Sequence, residues 1–331
     1  MRRREFIIFL GGAAAAVPAS AAVAQSQSKS KVYRLGFLTP GSPEADPNRF
    51  VASLLQGLER RGYELNRNLI LERRGAQFQV ARLPQLLDEL VASKVDAIVT
   101  TSYPAALAAK QGTSRIPVVA FGTGDPVGTH LVESLARPGG NITGISDVAA
   151  ELAPKRLELL REVVPGLHRV AMLWNASDLG MTMRYRATAA AAETLGVAVQ
   201  TLGVREPDDF NDAFTAMLRD PPDAILMVSD ALTTLNRKRV FEFATAHHLP
   251  AIYEREDLTR EGGLMSYGPD FAEAFDRAAA LIDRIFKGAD PASLPFEQPT
   301  HFRLVINVQT AKALGLNVPS SLLARADEVI E

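Results

Sequence analysis

The feature that most constrains the fold is an alternation of short β-rich segments with amphipathic helical segments. Such alternation is typical of a parallel sheet with helices on both faces. It runs from residue 32 to about residue 145, restarts after Ala153 and continues to Tyr253. Each half has about 110 residues, an ordinary size for one domain. The sequence therefore predicts an α/β protein with two lobes, each built on a doubly wound parallel sheet.

The C-terminal part of the chain is too short to form a third domain. It offers a helix over 270–286, a strand over 304–308 and a helix over 310–314, which are too few to bury a core alone. We expect these segments to complete the two lobes. The predicted first lobe is 32–145 with about 266–288, and the predicted second lobe is 146–265 with about 300–331.

Residues 1–24 are predicted to be a signal peptide. Three arginines are followed by a short apolar stretch over 6–17 and by small residues ending at Ala24, the expected cleavage site. The pair Arg3-Arg4 resembles a twin-arginine signal, and an ordinary secretory signal with a basic start is the alternative. Residues 25–31 are predicted to be a disordered leader. We therefore expect an exported, periplasmic protein with no stable membrane insertion after processing.

Composition excludes several classes of function. The chain has 36 basic and 38 acidic residues without a long run of like charge, so we expect no nucleic-acid partner. It has no cysteine, and its five histidines form no His-x-x-x-His pair, so neither a metal site nor thiol chemistry is expected. Dinucleotide-binding, nucleophile-elbow and Walker A patterns are absent as well. We expect no cofactor and no enzymatic activity.

Two long motif blocks carry a resemblance to a known family. The first block is Asp125–Gly128 with Leu135–Gly144, and the second comprises 304–307, 310–316 and 322–329. Together they resemble the ABC-transporter substrate-binding protein family that includes TrpX-like proteins. The resemblance runs from about Tyr33 to the C-terminus. It implies a type I periplasmic-binding-protein fold, with three crossover segments and a ligand in the cleft between the lobes. The ligands of that family are diverse and include aromatic amino acids.

Ligands of open α/β sheets bind beyond the carboxyl ends of the strands. Two lobes that face each other bring two such edges together. The candidate ligand-binding residues at the edge of the first lobe are Thr39, Thr101, Ser102, Tyr103, Phe121 and Thr123. Those of the second lobe are Trp174, Asn175, Ser229, Asp230, Tyr253 and Glu254, with Tyr267 near a crossover.

The chemical character of these residues favours a small carboxylate. Ser102 and Thr123 offer hydroxyl groups, and the helix that begins beside Pro104 offers free backbone N–H groups. Asp230 and Glu254 are candidates to hold an ammonium group, and the aromatic residues are candidates for apolar walls. The alternatives are that the aromatic side chains close the core and that the two acids serve as a helix cap or a surface pair. Asp125, which precedes a proline, is expected to cap a turn.

The resemblance implies a periplasmic solute-binding protein of an ABC importer. Its expected ligand is a small organic solute, such as an amino acid or another small carboxylate. Its expected partner is an inner-membrane ABC permease with its ATPase. The alternative is a sensory binding protein that presents its ligand to a membrane receptor.

Overall fold

The computed structural model describes residues 31–42, 49–147 and 151–331. The predicted signal peptide, its cleavage site and residues 25–30 of the predicted leader lie outside the described residues. Val32–Glu331 pack as one compact unit. None of the helices in the described ranges has the length and the apolar character that crossing a bilayer requires.

The first lobe is built on a five-stranded sheet in which every pairing is parallel. Its strands are β1 (Tyr33–Thr39), β2 (Leu69–Gly75), β3 (Ala97–Thr101), β4 (Val118–Phe121) and β5 (Ile142–Ile145), in the order β2-β1-β3-β4-β5. The central strands are continuous apolar runs because helices cover both faces of the sheet.

Side chains that alternate along these strands divide between two core clusters. Leu35 and Val99 pack on one face against α1 (Arg49–Glu59) and α10 (Phe271–Phe286). Leu38 and Ile98 pack on the other face against α2 (Leu83–Ala92) and α3 (Tyr103–Gly112). This period of two is what strand geometry requires.

The second lobe contains a seven-stranded sheet in the order β12-β11-β10-β9-β8-β6-β7. Its strands are β6 (Arg169–Asn175), β7 (Ala198–Val204), β8 (Ala224–Met227), β9 (Ala251–Tyr253), β10 (Met265–Pro269), β11 (Phe302–Asn307) and β12 (Glu328–Ile330). The pairing of β10 with β11 is antiparallel, and the other pairings are parallel. The prediction of two lobes with parallel sheets is thus confirmed.

The helices of the second lobe cover both faces of this sheet. They are α4 (Ala153–Val163), α5 (Leu179–Thr194), α6 (Asp209–Arg219), α7 (Ala231–Leu235), α8 (Arg237–Ala246), α9 (Glu256–Arg260), α11 (Val308–Ala313) and α12 (Ser320–Leu323). Asn236 separates α7 from α8, and its side-chain amide donates to the Leu232 carbonyl oxygen at 3.0 Å.

The chain passes between the sheets after β5, between β10 and α10, and between α10 and β11. The expectation that residues from about 266 belong to the first lobe is wrong for β10. Met265 pairs with Ile252 of β9, which places β10 inside the second sheet. The crossing occurs at Asp270, whose carboxylate accepts from two backbone N–H groups and begins α10. Strands β11 and β12 both lie in the second sheet.

Candidate ligand-binding cleft

The carboxyl ends of strands from both sheets border one cavity of about 620 Å³. Thr39, Thr101 and Phe121 end strands of the first lobe, and Ser229 and Glu254 follow strands of the second. The volume is typical of small-molecule sites, and the position is where open α/β sheets bind ligands.

Seven of the thirteen predicted residues line this cavity: Thr39, Thr101, Ser102, Phe121, Ser229, Asp230 and Glu254. The other six are not among its lining residues: Tyr103, Thr123, Trp174, Asn175, Tyr253 and Tyr267.

The aromatic members of the second set are held by neighbours in the protein. Trp174 stacks on Tyr185 with ring centroids 3.9 Å apart. Tyr253 is buried, and its ring packs edge-on against Phe241 at 5.4 Å. Both rings therefore pack in the core, which is the alternative role given above for aromatic residues at strand ends.

Two of the remaining members of that set, Asn175 and Tyr267, make hydrogen bonds to residues that line the cavity. Asn175 donates from its side-chain amide to the Asp230 carboxylate at 2.6 Å. The Tyr267 carbonyl oxygen accepts from Arg156 Nε at 2.8 Å. Tyr103 and Thr123 are both buried.

Ser102 lies in the cavity wall with an unusual backbone conformation. Its φ of 76° and ψ of 160° fall in a region that is normally occupied by glycine, and such a residue costs about 1–3 kcal/mol. Its N–H donates to the Phe121 carbonyl oxygen at 2.8 Å. Its hydroxyl oxygen is buried and has no hydrogen-bond partner within the described residues. Ser102 precedes α3, yet its side chain makes no capping bond to that helix.

Ser229 provides a similar group from the second lobe. Its side-chain oxygen is also buried and lacks a partner in the part of the chain that the structure describes. Its backbone N–H donates to Glu254 Oε2 at 3.0 Å, which fixes the loop after β8. Buried hydroxyl groups are normally hydrogen-bonded, so Ser102 and Ser229 are residues of the cavity wall whose hydroxyls could still bond a polar ligand group.

A buried ionic network forms the floor of the cavity on the side of the second lobe. Arg184 donates to Glu254 Oε2 at 2.9 Å and forms a second ion pair with Asp147. Arg156 donates to Glu254 Oε1 at 3.1 Å. All four side chains are nearly inaccessible to solvent. Both oxygens of Glu254, a candidate to hold an ammonium group, are therefore engaged by arginines of the protein itself.

Arg156 and Arg184 were not among the predicted site residues, although the sequence of α4 contains a signal for Arg156. Arg156 occupies the same stripe as Leu159, Leu160 and Val163 on α4, with the spacing i, i+3, i+4 and i+7. A charged residue within an apolar stripe indicates a buried, paired charge.

Asp230 is both a helix cap and a wall residue. It begins α7 with a reciprocal capping box, in which its carboxylate accepts from the Thr233 N–H at 2.8 Å. The helix-cap alternative thus describes its structural role. Burial raises the pKa of Asp230 and raises that of the neighbouring Asp178 to about 7.

The two lobes touch at a pair of glycines beside the cavity. Gly124 lies in the turn after β4, and Gly180 lies in the first turn of α5. A Cβ on Gly180 would lie 2.7 Å from the Thr123 carbonyl oxygen, and one on Gly124 would lie 3.1 Å from the Gly180 carbonyl oxygen. The backbones of the lobes therefore approach more closely than any side chain allows. The adjacent Asp125 caps a turn as predicted, since its Oδ1 accepts from the N–H groups of Val127 and Gly128.

Comparisons with known proteins agree with this architecture. The family model described as "ABC transporter substrate binding protein" matches residues 47–330. A "Tyrosine-binding protein" of Clostridioides difficile is 26% identical over 262 residues, which cover 79% of this chain and 75% of that protein.

Two solved structures resemble the chain over most of its length. One is an "ABC domain in complex with L-Trp" from Streptococcus pneumonia, with a TM-score of 0.84, 26% identity and coverage of 91% of this chain and 100% of that chain. The other is a conserved domain protein from Vibrio cholerae, with a TM-score of 0.85, 25% identity and coverage of 90% and 100%.

Proposed function

The chain belongs to the ABC transporter substrate-binding protein family, and from this premise we propose that it is the exported receptor of an ABC importer. The members of this family are solute-binding proteins rather than enzymes. In this proposal the protein acts in the periplasm and delivers its solute to a membrane permease whose ATPase drives uptake. Lobe closure around the solute would be a hinge motion.

The proposed ligand is an amino acid held between the two lobes. The observation that carries this proposal is that Ser102 and Ser229 line one cavity from different lobes, and that the hydroxyl groups of both lack a hydrogen-bond partner within the described residues. A carboxylate has enough lone pairs to accept from both hydroxyls, and α3 begins directly after Ser102. The positive end of the helix dipole favours the same charge.

The cavity also has groups suited to the other end of an amino acid. Asp230 lies in its wall, and four phenylalanines contribute to the same lining: Phe78, Phe121, Phe271 and Phe275. An ammonium group near Asp230 would keep the Asp230 carboxylate ionised against the effect of burial. The names of the tyrosine-binding and L-Trp-bound relatives support an amino acid as the ligand class.

A thermal-shift screen of amino acids and other small carboxylates on residues 32–331 tests the ligand class. A true ligand at 100 times its dissociation constant stabilises the protein by about 2.7 kcal/mol. A best ligand without an anionic group would contradict the proposal.

Calorimetry on Ser102→Ala and Ser229→Ala then tests the site. Each lost hydrogen bond to a charged group is worth about 1.5–3 kcal/mol, which corresponds to a loss of affinity of about ten- to a hundredfold. Ser321→Ala is the matched control because Ser321 lies exposed on α12. Unchanged affinity in both cavity variants would place the carboxylate elsewhere.

A further inference from the structure

The loop after β2 brings the ring of Phe78 to the cavity. Phe78 was not among the predicted ligand-binding residues. Phe78 is half-buried and lines the cavity. The edge of its ring lies beside Gly41, with Cε1 3.9 Å from the position that a Cβ on that glycine would take. The ring therefore lies at the first-lobe edge, in the same cavity as Ser102.

The backbone that holds Phe78 is strained. Gln77 has a φ of 51° and Phe78 a φ of 66°, so two consecutive non-glycine residues adopt the left-handed conformation. This conformation is unfavourable for a bulky L-residue. It persists because other contacts determine it: the N–H groups of Gln77 and Phe78 donate to the carbonyl oxygens of Gly41 and Pro40 at 3.0 and 2.7 Å.

The fold makes little use of the ring that this strain positions. The four core clusters formed by the described residues do not include Phe78. Phe121, Phe271 and Phe275 differ, since they line the cavity and also belong to the core of the first lobe. Phe78 thus presents apolar area to the cavity. The strained backbone conformation that holds its ring there is not required for packing of the core.

We propose that Phe78 determines specificity by packing against the planar side chain of an aromatic amino acid. This inference rests on the proposed function, because the carboxylate end of the ligand is taken to bind at Ser102 and Ser229. Aromatic rings prefer offset-stacked or edge-to-face contact, which adds to the gain from burial. A rigid turn presents the ring without the entropy cost of ordering a mobile side chain.

The test is calorimetric titration of the wild-type protein, Phe78→Ala and Phe78→Leu with L-tryptophan, L-tyrosine and L-leucine. L-leucine carries the same charged groups without a flat ring. We expect Phe78→Ala to weaken binding of the aromatic ligands about tenfold or more, while binding of L-leucine changes by about twofold or less. The affinity of Phe78→Leu for the aromatic ligands should lie between those of the wild-type protein and Phe78→Ala. Gln79→Ala is the matched control, since Gln79 is exposed one residue beyond Phe78 and does not line the cavity, so all affinities should stay unchanged.

The outcomes separate the two proposals. A wild-type protein that binds none of the three amino acids overturns the proposed function and this inference with it. Aromatic binding by the wild type that Phe78→Ala leaves unchanged overturns the role of Phe78 alone. The role of Phe78 is also overturned if Phe78→Ala weakens binding of all three amino acids equally, because an equal loss indicates damage to the site rather than a change of specificity. Circular dichroism of each variant confirms that it is folded.

Discussion

The contact between the lobes at Gly180 yields a quantitative prediction for Gly180→Ala. A Cβ at this position would lie 2.7 Å from the Thr123 carbonyl oxygen and 3.2 Å from Tyr103 Cβ. Ordinary contact begins at 3.4 Å, so the lobes would have to separate by about 0.7 Å. Overpacking of this kind costs about 1–3 kcal/mol. If that cost falls on the closed state alone, affinity for the ligand drops by about 5- to 150-fold.

The same substitution should not destabilise the unliganded protein. Gly180 lies in the first turn of α5 without a positive φ, and alanine is favoured over glycine in helices by up to about 1 kcal/mol. Weaker binding with an unchanged or higher unfolding free energy is therefore the expected signature.

Calorimetry with the best ligand, urea unfolding and small-angle X-ray scattering measure these effects. Leu179→Ala is the control because Leu179 is the exposed neighbour of Gly180 on the same helix. Wild-type affinity together with a wild-type radius of gyration in the liganded Gly180→Ala protein would refute the reasoning.

Three further predictions concern buried groups. Arg184→Met removes the buried charge that pairs with both Asp147 and Glu254, so it should cost about 3–5 kcal/mol of unfolding free energy in urea. Lys287→Met, at an exposed ion pair, should cost less than about 1 kcal/mol, and equal costs would contradict a buried network. Asp178 has a folded pKa near 7 against 3.8 for the free group, so its contribution to stability falls as pH rises between these values. The stability of Asp178→Asn relative to wild type should therefore increase between pH 5 and pH 7.5. A constant difference in unfolding free energy over that range would contradict the raised pKa. Ser102→Gly should raise the unfolding free energy by about 1 kcal/mol while weakening ligand binding, whereas Ser102→Ala should give no such gain in stability.

The architecture and the edge of the cleft were predictable from the sequence because apolar runs end abruptly in polar residues. Thr39, Thr101 and Ser229 follow such runs, and the structure places them on one cavity. One incorrect site prediction, Tyr253, follows from the fact that successive side chains along a strand point to opposite faces. Tyr253 and Glu254 are adjacent, and only one of the pair reaches the cavity, while the tyrosine packs in the core.

Other parts of the site could not be read from local pattern. The partners of Arg184 lie 37 and 70 residues away in the chain, so its burial depends on tertiary packing. The left-handed turn at Gln77 and Phe78 contains no glycine that would signal it. The assignment of β10 to the first lobe failed because the pairing with β9, and not sequence proximity to α10, decides where a strand lies.

The most direct test of the central claim is a crystal structure of residues 32–331 grown with saturating L-tryptophan or L-tyrosine. The account predicts a ligand between the lobes, with its carboxylate within hydrogen-bonding distance of Ser102 Oγ and Ser229 Oγ. A ligand whose carboxylate contacts neither serine, or an empty cavity at saturating ligand, would contradict the account.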